Sequence, residues 1–85
     1  MAEYKIFFNE SVEKDFRIIL KKDLQKILFR IETLAKDPKP PAHEKLTGQE
    51  RYRIRQGHYR IIYSVHDKEL TIWVVKVGHR KEVYR

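Results

Sequence analysis

The spacing of apolar residues changes twice along this chain. Over residues 3–8, EYKIFF, the side chains of Tyr4, Ile6 and Phe8 alternate with Glu3, Lys5 and Phe7. A period of two predicts a β-strand with one apolar face. Val12, Phe16, Ile19 and Leu20 then fall on one helical stripe. Leu24, Ile27, Leu28, Ile31, Leu34 and Ala35 make a second, cleaner stripe. Asn9 or Ser11 is placed to cap the first helix, accepting hydrogen bonds from its free backbone amides. Asp23 stands near the start of the second helix, where the dipole favours an acid. A joint as tight as Lys21–Lys22 predicts an antiparallel helical hairpin. Asp37–Pro38 ends the second helix, because proline disfavours helical backbone in the residue before it.

The period returns to two after a proline-rich loop, DPKPPAHEKLTGQE, at 37–50. Strands are predicted at about 51–56, 58–66 and 69–78. Gln56–Gly57 and Asp67–Lys68 suit the two hairpin turns between them. The order predicts an α+β fold: an N-terminal strand, two helices, then an antiparallel β-meander with the helices on one sheet face. Eighty-five residues suit one domain, 1–85, with a modest core.

Composition narrows the class. There is no cysteine, so no disulfide and no thiolate ligand. With no helical histidine pair either, no metal site is expected. No leader-like or membrane-length apolar run occurs, which predicts a cytoplasmic protein that does not engage a membrane. Lys and Arg number 19 against 12 Asp and Glu, a net charge of +7. The excess lies mainly beyond Ala42, with ten basic and five acidic residues there. A basic surface attracts nucleic acid or an acidic partner.

The stretch RYRIRQGHYR, 51–60, carries four arginines and no acid. With Gln56–Gly57 as the loop, Arg53, Arg55, His58 and Arg60 share one sheet face. Tyr52, Ile54, Tyr59 and Ile61 share the other, which the helices cover. In this register Arg53 faces Arg60, Ile62 faces Trp73 and Arg60 lies level with Val75. Like charges across a strand pair repel unless an anion sits between them. One arginine alone reads as a solvated face; three converging with no neighbouring acid read as an anion site. The planar guanidinium fork suits phosphate. On the helices, Lys14, Arg17, Lys21, Lys22 and Lys26 are candidates for contact with RNA phosphates.

Taken together, KLTGQERYRIRQGHYRIIYSV (45–65) and VGHRKEVY (77–84) resemble the RelE-type toxins of the RelE/ParE superfamily. The resemblance spans nearly the whole chain. It implies the toxin of a toxin–antitoxin pair, restrained by a RelB-like antitoxin. It further implies metal-independent cleavage of messenger RNA in the ribosomal A site, leaving a 2′,3′-cyclic phosphate and a 5′-hydroxyl. The catalytic groups it implies are Arg53, Arg55, Arg60, Arg80 and Tyr84. Some relatives carry lysine where this chain has Arg53 and Arg55. An arginine essentially never loses its proton, so the base that activates the 2′-hydroxyl stays open. His79, the group readiest to exchange protons near neutrality, is a candidate base or acid. His58, at a hairpin tip, is a candidate for RNA contact. Two other readings remain on the same fold: a ParE-like inhibitor of DNA gyrase, and a non-catalytic RNA-binding module.

Overall fold

The alternating start of the chain becomes β1, Lys5–Phe8. Two helices follow, α1 at Glu10–Arg17 and α2 at Lys21–Thr33. Four further strands complete the order: β2 (Glu44–Lys45), β3 (Arg51–Gln56), β4 (Tyr59–His66) and β5 (Thr71–His79). This computed structural model describes residues 3–40, 43–46 and 51–79. The five strands form one sheet in the order β1-β5-β4-β3-β2. The fold is α+β, as expected, but the sheet is mixed: β1 runs parallel to β5, with Lys5 opposite Thr71 and Phe8 opposite Val74.

Both apolar stripes meet the same sheet face. Val12, Ile19, Ile27, Ile31 and Leu34 from the helices are buried against Ile54, Ile61, Tyr63, Ile72, Val74 and Val77. Full burial of a side chain of this size contributes about 1.5–3 kcal/mol. Leu20 leaves its predicted stripe and is exposed. It is the N-cap of α2, so the joint between the helices is Ile18–Leu20 and the two lysines belong to the first turn of α2. Asn9 occupies the N-cap of α1, yet no side chain caps that helix. Helix α2 stops before Asp37–Pro38. Leu34 and Ala35 donate to Ile31 and Glu32, bonds that tighten the last turn, and the Ala35 carbonyl accepts from the Tyr4 amide.

Helix α1 also closes a sheet edge. Strand β1 ends opposite Val74, and beyond that point the edge of β5 is met by α1. Ser11 Oγ donates to the Val75 carbonyl at 3.4 Å. One turn further on, Asp15 accepts from the Val77 amide at 3.2 Å and from Lys76 Nζ at 2.9 Å. The i, i+4 spacing puts Ser11 and Asp15 on one helix face, where they satisfy backbone groups that would otherwise lack strand partners.

Two registers differ from expectation. The first turn is Gly57–His58, with Gln56 opposite Tyr59. Gly57 has φ 61° at the first central position, the place a II′-type turn reserves for glycine. The partner of every β3 residue moves by two, so the faces survive. The second turn spans 67–70, with Leu70 at φ 51°. A bulge between Ile62 and Tyr63 then sets Ile62 opposite Lys76 and Arg60 opposite Gly78. Trp73 faces Ser64 and stacks on Phe7 at 5.0 Å between ring centres. Among the described residues no helix is long and apolar enough to cross a membrane.

Candidate functional site

Strands β3 and β4 position the arginines. Their helix-covered face takes Tyr52, Ile54, Ile61 and Tyr63, all buried. Period two therefore sends Arg53, Arg55 and Arg60 to the opposite face. The observed cross-strand pair is Arg55 with Arg60, while Arg53 faces Ile62. The pairing shifted but the convergence held. Arg60 is only 2% exposed, the one buried charged residue among those described. Its strand neighbour on β5 is Gly78, which contributes no side chain at that level.

The expectation that no acid lies nearby is corrected by β2. That two-residue strand, inside the proline-rich loop, sets Glu44 opposite Arg53. The Glu44 carboxylate forms an ion pair with the Arg53 guanidinium, which hydrogen-bonds Oε2. That hydrogen bond and the Arg53 charge hold the Glu44 carboxyl below the usual carboxylate range, and the charges of Arg55 and Arg60 push the same way. One carboxylate thus senses all three arginines. Sequence reasoning missed it because a two-residue strand leaves no periodicity to read. The only available signal was an acid ahead of a strand rich in arginine.

A second group forms at the end of the sheet. The rings of His58 and His79 stack with centres 6.1 Å apart. The Tyr59 ring meets His79 edge-on at 5.9 Å. Opposite pairing of Tyr59 with His79 explains this, since it aligns the tip of the β3–β4 hairpin with the end of β5. Two small clefts flank Tyr59. One, of about 110 Å³, lies between His79, Gly78, Val77 and residues Asp15, Ile18 and Ile19 of the α1 end. The other, about 130 Å³, lies between the hairpin tip and Asp23 and Lys26 of α2. A wider groove of about 540 Å³, between β1 and the end of α2, sits at the opposite edge of the sheet from β2.

The remaining predicted residues divide. Lys14, Arg17, Lys21, Lys22 and Lys26 are all exposed on the helices. Arg80 and Tyr84 lie outside the described residues. His43 is structural, with Nδ1 2.7 Å from the Pro40 carbonyl and its ring edge-on to Tyr52. Among the described residues no group of three or more His, Cys, Asp or Glu side chains could hold a metal ion.

Val77 and Ile61 belong to the helix-covered core, so His79, two residues beyond Val77 and opposite Tyr59, falls on the helix side at the sheet end and not on the arginine face where it was expected to act. A small α+β domain that gathers three guanidinium groups on the sheet face away from its helices has the chemistry to hold an anion. The comparisons with known proteins define its class. The family model for the ParE toxin of type II toxin–antitoxin systems matches residues 6–84, and the chain belongs to this family, as a RelE-type toxin of the RelE/ParE superfamily. Toxin RelG of Mycobacterium tuberculosis is 26% identical over 86 residues, covering 96% of this chain and 97% of that protein. The archaeal RelE–RelB complex from Pyrococcus horikoshii contains a similar chain, with a TM-score of 0.82 and 30% identity over 92% of this chain and 96% of that one. The isolated RelE toxin of Escherichia coli matches with a TM-score of 0.79 at 28% identity, over 95% of this chain and 90% of that one.

Proposed function

We propose that this toxin is a ribosome-dependent endoribonuclease that cuts messenger RNA in the A site without a metal ion. The observation that carries the reading is the placement of Arg55 directly across from Arg60, with Arg53 beside them on the sheet face away from the helices. Cleavage is an in-line attack of a ribose 2′-oxygen on the adjacent phosphorus. Arg60, fixed by burial, and Arg55 take the phosphate oxygens and stabilise the charge that grows there. Arg80 acts at the departing 5′-oxygen or at a neighbouring phosphate. Tyr84 stacks on a base or orients the 2′-hydroxyl. The exposed basic residues of α1 and α2 follow ribosomal RNA phosphates. The reaction takes place in the cytoplasm, and a RelB-like antitoxin covers the basic face when the toxin is silent. The complexes of related RelE chains with RelB support that partner.

The test is to incubate the purified protein with programmed ribosomes in EDTA, and separately with naked messenger, and map the ends. Cuts within the A-site codon, bearing 2′,3′-cyclic phosphate or 3′-phosphate and 5′-hydroxyl ends, are expected. Messenger left intact on ribosomes overturns the reading. The matching family description names ParE, so a gyrase poison is the rival. DNA breaks formed with purified gyrase, alongside uncut messenger, select it.

A further inference from the structure

The sheet face away from the helices extends beyond the arginine pair. Arg51 lies opposite Ser64, Ser64 opposite Trp73 and Trp73 opposite Phe7, one row across four strands. Their chain neighbours Tyr52, Tyr63, Ile72 and Val74 are buried in the core, so this row stands on the other face. We propose that Trp73 and Arg51 clasp one base of the messenger in a slot over Ser64. This rests on the reading of the toxin as a ribonuclease and deepens it.

Burying rings of this size stabilises a fold, yet Phe7 is 40% exposed and Trp73 38%. Their ring centres lie 5.0 Å apart, with the planes 24° from parallel. That spacing matches the roughly 4.8 Å between neighbouring strands, so the rings stand up from the sheet face to face. Phe7, on the edge strand β1, covers the near face of the indole and braces it. The other indole face is turned toward β4, where the opposite residue is Ser64. Its small side chain leaves the level above it open, and beyond it comes exposed Arg51 on β3.

Trp73 and Arg51 stand two strand intervals apart, about 9.6 Å. A flat base at a van der Waals separation of about 3.5 Å from each wall needs about 7 Å. The slot therefore admits one base, between an indole and a guanidinium, and both surfaces stack on bases. Its floor is polar, with Ser64 Oγ 3.0 Å from His66 Nε2. A hydroxyl has one proton and two lone pairs, so it can bond a base edge and keep the histidine.

Continuity with the arginines selects RNA as the occupant. Arg51, Arg53 and Arg55 follow one another on this face of β3 at steps of about 6.8 Å. The slot lies at one end of that line and the Arg55–Arg60 pair at the other. An apolar protein segment seated on Trp73 would cover the Arg51 charge without bringing it a counter-ion, whereas a nucleotide brings base and phosphate together. Four residues of β4 separate Ser64 from Arg60, about 13.6 Å. The base held is thus not at the cut phosphate but further along the same strand.

Affinity is measured for ribosomes programmed with messenger that carries 2′-deoxyribose through the A-site codon and its neighbours, so that no cut occurs. In a matched set each of these nucleotides in turn lacks its base. Trp73→Leu stays apolar but loses the π face, and Trp73→Phe keeps one. Trp73→Leu is expected to bind the intact messenger about 5-fold to 150-fold more weakly, and Trp73→Phe to lose less. One abasic position should cost the unaltered toxin a similar factor and cost Trp73→Leu nothing further, a coupling that a merely structural tryptophan would not show. Thermal unfolding checks that the variants fold; should Trp73→Leu fail, Ser64→Ile, which fills the slot, decides by the same coupling. Affinity unchanged in Trp73→Leu overturns the proposal. So does an equal loss on every abasic messenger, which assigns Trp73 to ribosomal RNA or to the fold. Normal ribosome binding with a weakened RelB-like antitoxin complex overturns it too, and makes the face a protein dock. Binding is read without cleavage, so the ribonuclease reading fails separately, when unmodified messenger stays intact. An unaltered toxin that does not bind programmed ribosomes sinks both.

Discussion

Arg60 is charged and almost fully buried, a combination that proteins tolerate only where the charge is compensated or used. Burial fixes its fork, and a fixed donor needs no reorganisation as charge develops on a phosphate. Arg60→Lys keeps the charge but loses the planar fork. It is expected to lower single-turnover cleavage of ribosome-bound messenger by about 100-fold to 1,000-fold, with the folded state retained by circular dichroism. On the other face of β4, Tyr63 donates from its hydroxyl to the Pro38 carbonyl at 2.7 Å, tying the proline-rich loop to the core. Burial pushes its phenol well above the ordinary tyrosine value, with the nearby Tyr52 adding to the shift. A group with a raised folded-state pKa stabilises fully below its unfolded value of about 10 and loses that contribution as pH rises through the folded value. Urea midpoints should therefore fall above about pH 10, and fall less in Tyr63→Phe. At neutral pH that variant should lose about 0.5–1.5 kcal/mol. Glu44 has the opposite sign. Its lowered pKa gives stability above the ordinary carboxylate value that disappears as pH falls through the lowered one, and salt screens it because the side chain is half exposed. The face of each arginine was legible in the sequence because period two survives a change of partner by two residues. Glu44 was not, since it reaches the site only through a strand pairing that a loop-like composition conceals.

At the scale of elements, the bond between α1 and β5 does most to place His79. Asp15 joins the Lys76 ammonium and the Val77 amide, two residues before the imidazole. Asp15→Ala leaves that amide and that cation without their acceptor. It should cost about 1–3 kcal/mol in urea unfolding, and should shift the NMR signals of His79 and Tyr59 more than those of β1. Asp15→Asn should recover part of the stability, because its carbonyl still accepts from the amide. The β3–β4 turn makes a second case. Gly57 is left-handed with open space around it, so Gly57→Ala clashes with nothing but strains the backbone by about 1–2 kcal/mol. Element identities followed from hydrophobic period, and strands β3, β4 and β5 fell where it placed them. Their connections did not. Glycine takes the first turn position where a later one was expected. A bulge after Ile62 moves β5 along its partner, at the level where α1 meets the β5 edge. Neither choice has a local signature in composition. The parallel pairing of β1 was equally hidden, since which strands meet across a sheet is settled by the packing of the helices between them.

The whole molecule carries +7, and the exposed basic residues of α1 and α2 spread that charge well beyond the arginine row. Binding to ribosomes should weaken steeply as potassium chloride rises, log affinity falling linearly with log salt. Reversing Lys14, Lys21 and Lys22 to glutamate should flatten that slope by about one for each phosphate no longer neutralised. Single-turnover cleavage at saturating ribosome should change far less, because none of the three lies on the arginine face. Finally, the sheet joins residue 5 to residue 71. A parallel pair so distant in sequence forms late, after a long closure. A growing chain therefore cannot finish its sheet until the segment carrying Thr71–His79 has left the tunnel of the ribosome that made it.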